Sequence, residues 1–95
     1  MKINEADLHH HLKSRMLQRG ISKEEIEHTI NKGWNAGDAK EGVEGKVLVF
    51  TYNNYWEGKY FEEKEVTVYY KLKGKKIVLL TAKARYGKNF TKGGQ

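Results

Sequence analysis

Three side chains near the N-terminus have types and spacing suited to chemistry on an anion. His11, Arg15 and Arg19 recur every fourth residue in the stretch HLKSRMLQRGIS. On a helix such residues stand one above another on a single face. At about 100° of rotation per residue, both arginines fall on or beside the apolar stripe of Leu8, Leu12 and Met16. They are therefore expected to point into a seam between helix and sheet. Arginine offers a planar fork matched to phosphate, and an imidazole beside it can move protons near neutral pH. A purely structural alternative exists, because an unpaired buried charge is costly. Arg15 and Arg19 would then pair with Glu25, Glu27, Glu62 or Glu63, with their stems lying over the core.

A second set of candidates lies toward the C-terminus. Tyr69 alternates with Val68 and Tyr70 and so faces away from them, while Thr81, Lys83 and Arg85 share one face of a strand by period two. Arg85 and Tyr86 together could hold a phosphate and stack a base. Lys64, Lys71 and Lys88 add positive charge. His9, His10 and His11 look like a metal ligand set, but neighbours on an intact helix diverge by about 100° and cannot chelate one ion. His11 with His28 is the only cross-helix pair this suggests. The chain has no cysteine, which excludes disulfides and thiolate metal sites. No metal and no cofactor are expected.

The elements that must carry these groups are legible from caps and periodicity. A first helix is expected from near Asn4, its cap, to about Arg19, with Gly20 as its stop. Ser22-Lys23-Glu24-Glu25 fits a capping box for a second helix, with Ile21 and Ile26 at staple spacing and Gly33 at its end. Residues 35–45 are rich in Gly and acids and read as a loop. Lys46–Tyr52 is strand-like, and Asn53-Asn54 and Gly58 mark a turn. Lys59–Glu62 reads as a short strand. Lys64–Leu72 alternates, with Val66, Val68, Tyr70 and Leu72 on one face. Lys73-Gly74-Lys75 is a hairpin turn. Lys76–Arg85 is the most apolar strand and is expected at the sheet centre. The tail after Tyr86 is expected to be loose at its end. Helices followed by strands argue for an α+β fold, one domain over 1–95, with two N-terminal helices on three or four antiparallel strands.

Composition narrows the class. The 95 residues suit one small domain. Hydrophobic residues are 38% and charged residues 32%, thin for a large core, but the 12% aromatic share compensates. No apolar run approaches the roughly 20 residues of a membrane span, and MKINEADLHHH has no signal-peptide core. The expectation is a soluble domain that acts in the cytoplasm, either made there or delivered as the C-terminal part of a longer secreted toxin. Charge is segregated. Residues 1–63 carry nine Lys/Arg against eleven Asp/Glu, whereas residues 64–95 carry nine Lys/Arg against Glu65 alone. A basic half attracts polyanions, nucleic acid foremost, although lysines on strand edges also prevent edge-to-edge association.

His11, Arg15, Met16, Arg19, Gly20, Ile21 and Ser22, followed by Glu24, Glu25, Ile26 and Gly33, resemble the signature of a family of small bacterial and archaeal proteins. That signature is His-Ala-x-x-Arg-Met-x-x-Arg-Gly-Ile-Ser, then an amphipathic helix ending in Gly. The family is catalogued mainly as a domain of unknown function. It is considered related to the RelE-like and BrnT-like toxins and to the ribonuclease group that includes barnase and the colicin nuclease domains. Here Leu12 replaces the usual small residue, and YNNYWEGKYFEEKE has no family counterpart. The resemblance implies a helix pair on a curved antiparallel sheet, cleavage of RNA without a metal, and His11, Arg15 and Arg19 as the shared positions.

The function expected is therefore a metal-independent endoribonuclease toxin using the 2′-hydroxyl as nucleophile, with RNA (tRNA or ribosome-bound mRNA) as substrate and an antitoxin or immunity protein as partner. The catalytic candidates are His11 as base or acid, Arg15 and Arg85 as transition-state clamps, and Thr81, Tyr86 or Lys83 as second proton donor or orienting group. Arg19, Lys64, Tyr69, Lys71, Lys83 and Lys88 are the RNA-binding candidates. The alternative is a non-catalytic module that binds nucleic acid or a protein partner.

Overall fold

Gly20 divides the N-terminal third into two short helices. The computed structural model describes residues 1–93. A single 3-10 turn, Glu5–Asp7, is capped by Asn4 and leads into α1, His10–Arg19. The expected first helix is thus interrupted at Leu8, which leaves helical geometry (φ −95°, ψ 87°) yet stays buried. His9 then caps α1. Its Nδ1 accepts the Leu12 N–H at 3.3 Å, so Nε2 carries the proton and donates to the Leu79 carbonyl at 3.0 Å. Gly20 ends α1 in the left-handed region. The second helix, α2 (Lys23–Lys32), has the expected capping box of Ser22 and Glu25, and Ile21 and Ile26 are both buried.

Four antiparallel strands follow in sequence order: β1 (Trp34–Asn35), β2 (Glu44–Trp56), β3 (Lys59–Lys73) and β4 (Lys76–Gly87). The expected α+β architecture of two helices before an open antiparallel sheet is what the chain forms. Three details differ. The segment read as a loop begins with β1, a two-residue edge strand paired to Lys46 and Val47. The Asn53-Asn54 turn is a bulge inside β2, with Asn53 at φ 44°, and the reversal comes at Glu57-Gly58, both at positive φ. That pair of conformations matches the twist of a two-residue hairpin, so β3 runs unbroken from Lys59. Finally, β4 lies at the sheet edge, not its centre. Its apolar character has another cause: α1 packs on it, and α2 spans β2 and β3.

The core lies on the helix side of the sheet, where Leu12, Met16, Ile26 and Ile30 meet Val66, Val68, Tyr70, Leu79 and Ala82. Burying each large aliphatic side chain contributes roughly 1.5–3 kcal/mol. Leu72, expected on this face, is beyond the reach of the helices and is exposed. Leu79 and Ala82 both face the core, which strict alternation forbids. A bulge in β4 reconciles them: Tyr69 pairs with Thr81 but Tyr70 pairs with Leu79, leaving Leu80 as the extra residue. After β4 the chain returns over Glu63, whose carboxylate accepts the Phe90 N–H at 2.9 Å and pairs with Lys92 at 2.7 Å. The end of the tail, expected to be loose, falls at residues 94 and 95, outside the described residues.

Candidate functional site on the open sheet face

Because the helices cover one face of the sheet, the register puts a different set of side chains on the other. Val47, Thr67 and Lys83 form one row across the three long strands; Val49, Glu65 and Arg85 form the next; Gly45, Tyr69 and Thr81 flank them. The loop after β1 folds over this face, held by the Ala36 N–H bonded to the Gly45 carbonyl at 2.9 Å. It brings Asp38 against the sheet. Tyr69 donates its hydroxyl proton to Asp38 Oδ1 at 2.7 Å, Lys83 Nζ lies 3.2 Å from Oδ2, and the Lys83 ammonium sits 5.4 Å above the Tyr69 ring. One strand register away, Arg85 makes a two-pronged contact with Glu65 at 2.8 and 3.1 Å, its guanidinium 4.8 Å from the Phe90 ring.

Two carboxylates and two cations therefore border a pocket of about 480 Å³, with the buried Thr67 in its floor. The environment acts on three of these groups. The hydrogen bonds from Tyr69, then from Lys83, hold the Asp38 carboxyl below its ordinary value of 3.8. Desolvation, then the bond to Asp38, pushes the Tyr69 phenol above its ordinary value of 10.0. Bonds to Tyr69 and Asp38 push Lys83 up as well. Tyr69 is therefore a protonated donor at neutral pH and Asp38 a charged acceptor.

The sequence candidates divide between the two faces. Tyr69, Thr81, Lys83 and Arg85 come together here. His11 and Arg15 do not join them, because α1 lies on the opposite side of the sheet. Both are exposed, and among the described residues Arg15 reaches only Gln18 on its own helix, at 3.4 Å. Arg19 does point into the helix–sheet seam, as expected, but it donates to the Ala82 carbonyl at 2.6 Å and so ties α1 to the edge of β4. The imidazole and two guanidiniums do not form one constellation.

Two more candidates prove to be internal. Lys64 is 3% exposed. It bonds to the Gly20 carbonyl and to Glu25 at 2.8 Å, with the rings of Tyr52 and Tyr86 at 5.5 and 5.6 Å. This cation is saturated and cannot reach a phosphate. Tyr86 stacks on Trp56 at 5.1 Å and donates to the Arg19 carbonyl at 2.6 Å, so its ring is already occupied. Lys71 and Lys88 are exposed. Of the three histidines in a row, His9 is spent on its cap, and among the described residues no three His, Asp or Glu side chains converge as a metal site.

Sequence reasoning missed Asp38 and Glu65. Asp38 lies in the Gly- and acid-rich segment between β1 and β2, where no periodicity marks a side chain's direction. Glu65 carried a signal: it is the sole acid in the basic half, and a lone acid among cations invites pairing.

These features define an α+β domain in which a helix pair covers one side of an open antiparallel sheet and acid–base groups gather on the other. Residues 8–83 match the family model described as "Domain of unknown function (DUF4258)", and the chain belongs to that family. No curated protein and no solved structure matches the chain. No helix among the described residues is long and apolar enough to cross a membrane.

Proposed function

We propose that the open sheet face is the active site of a metal-independent endoribonuclease. The observation that carries this reading is the pairing of two carboxylates with two cations around one solvent-open pocket, at Asp38–Lys83 and Glu65–Arg85. Metal-free cleavage by the neighbouring 2′-hydroxyl needs a proton acceptor, positive charge at the phosphate and a proton donor for the leaving 5′-oxygen. Glu65 takes the 2′-hydroxyl proton. Arg85 and Lys83 exchange their carboxylate partners for phosphate oxygens, an exchange between like-charged, like-shaped acceptors. The Lys83 ammonium, moved from Asp38 to the phosphate, gives a proton to the leaving 5′-oxygen as the bond from phosphorus to that oxygen breaks, while Tyr69 stays hydrogen-bonded to Asp38 and Thr81 orients the strand. The resemblance of the His11–Ser22 motif to a family considered related to RelE-like and BrnT-like toxins supports the ribonuclease activity but not this location, since its shared positions His11, Arg15 and Arg19 lie on the helix side. The excess of positive charge after residue 63 supports RNA as substrate. In that reading the protein acts in the cytoplasm and a cognate antitoxin or immunity protein covers this face.

A second reading has its own support. Lys83 and Arg85 both have carboxylate partners, as they would in a non-catalytic module whose face merely docks RNA or a protein. Incubation of the purified protein with total RNA, with and without a chelator, separates the two. Cleavage resistant to the chelator is expected, with the rate lowered at least about 100-fold in Glu65→Gln or Lys83→Ala. Intact RNA under all conditions, or full activity in both variants, would overturn the assignment. Loss of activity in a folded His11→Ala protein would move the site back to α1.

A further inference from the structure

The β4 bulge that lets Leu79 and Ala82 share the core has a second consequence. It turns Leu80 outward, onto the surface. There Leu80, Val43 from the loop and the ring of Tyr69 line a pocket of about 390 Å³, with Lys40, Thr81 and Asp38 around them. Asp38 also borders the charged pocket, so the two cavities share a wall. One is charged, its neighbour apolar with a polar rim.

We propose that this second pocket receives an unpaired nucleobase of the strand whose phosphate occupies the charged pocket, a proposal that rests on the RNA reading given above. The chemistry matches at each surface of a base. Its flat faces meet an aromatic ring and two aliphatic side chains, the combination that binds bases out of a stack. Its polar edge meets the Thr81 hydroxyl and the Asp38 carboxylate. The carboxylate only accepts hydrogen bonds, so it favours a base edge offering N–H groups over one offering carbonyls. Lys40 forms no ion pair among the described residues and stands where the next phosphate of the strand would pass. An aliphatic side chain from a protein partner would fill the apolar part but offer nothing to the Thr81 hydroxyl or the Lys40 ammonium at the rim. Bulges commonly re-aim side chains beside functional sites, and Leu80 is re-aimed here.

Binding to two probes tests the proposal without requiring catalysis: a short 2′-O-methyl oligoribonucleotide, which cannot be cleaved, and its abasic counterpart. The expected result is at least about tenfold tighter binding of the oligomer that carries bases. Val43→Trp, which fills the pocket, and Leu80→Ser, which strips its wall, should each bring that ratio toward one while leaving affinity for the abasic probe unchanged. Should Val43→Trp fail to fold, Leu80→Ser carries the test alone. Equal binding of both probes by the native protein, or an unchanged ratio in the folded variants, overturns the base pocket and leaves the cleft reading intact. Binding of neither probe overturns the RNA reading, and the pocket with it.

Discussion

At the scale of single residues, identical side-chain types have opposite fates according to where the register puts them. Lys64 and Lys83 are both strand lysines. Lys64 faces the helices, where removal from water demands partners on every side, and it finds a carboxylate, a carbonyl and two aromatic faces. Lys83 faces the open side and keeps half its side chain in water. It can therefore change partners, which binding requires. The Asp38–Tyr69–Lys83 cluster makes a testable statement about pH. Its carboxyl value is lowered in the folded protein, so its contribution to stability is present above the ordinary value of 3.8 and is lost as pH falls through the lowered one. Tyr69→Phe removes the largest cause of that lowering. The Asp38 titration midpoint, followed by carboxyl NMR shifts, should rise toward 3.8 while the Lys83 contact keeps it from arriving fully. A midpoint that does not move would mean the phenol is not bonded there.

At the scale of elements, backbone approaches decide more than propensity does. The end of α2 lies so close to β2 that a methyl group on Gly33 would fall 2.4 Å from the carbonyl oxygens of both Thr29 and Val47. Neither backbone can yield without moving helix or strand. Gly33→Ala is expected to cost about 2–4 kcal/mol in denaturant unfolding. Gly37→Ala, in open space on the loop, should stay within about 0.5 kcal/mol of the native protein. Equal effects would mean that α2 is not docked as described. The same scale explains which elements could be read in advance. The capping box at Ser22 and Glu25, the stop at Gly20 and the alternation through Val66, Val68 and Tyr70 are local rules, and they were legible. The interruption at Leu8, the bulges and the edge position of β4 follow from the need to fit helices onto a sheet, and no local window contains them.

At the scale of the whole molecule, the open face and the β3–β4 hairpin carry most of the cations of the basic half of the chain. Lys71, Lys73, Lys75 and Lys76 are exposed around that turn and form no ion pair among the described residues. If RNA is the ligand, as proposed, its affinity should fall steeply with salt. The double substitution Lys75→Gln/Lys76→Gln should reduce the slope of log affinity against log salt by about 1 to 1.5, leaving thermal stability unchanged. An unaltered slope would remove this hairpin from the path of the strand.

Composition, caps and two periodicities by themselves determined the helix pair, the hairpin meander, the α+β class and a basic second half, since each depends on neighbours in the chain. They also put Thr81, Lys83 and Arg85 on one face of a strand and turned Tyr69 away from Val68 and Tyr70; the cross-strand register then brought all four onto the same side of the sheet. Only the tertiary structure decided that this face lies away from His11 and Arg15, that Arg19 and Lys64 are inward struts, and that Asp38 and Glu65 complete the cluster. The reason is physical: helical spacing orders side chains around their own axis, but which side of the sheet receives the helix is set by where the largest apolar surface can be buried.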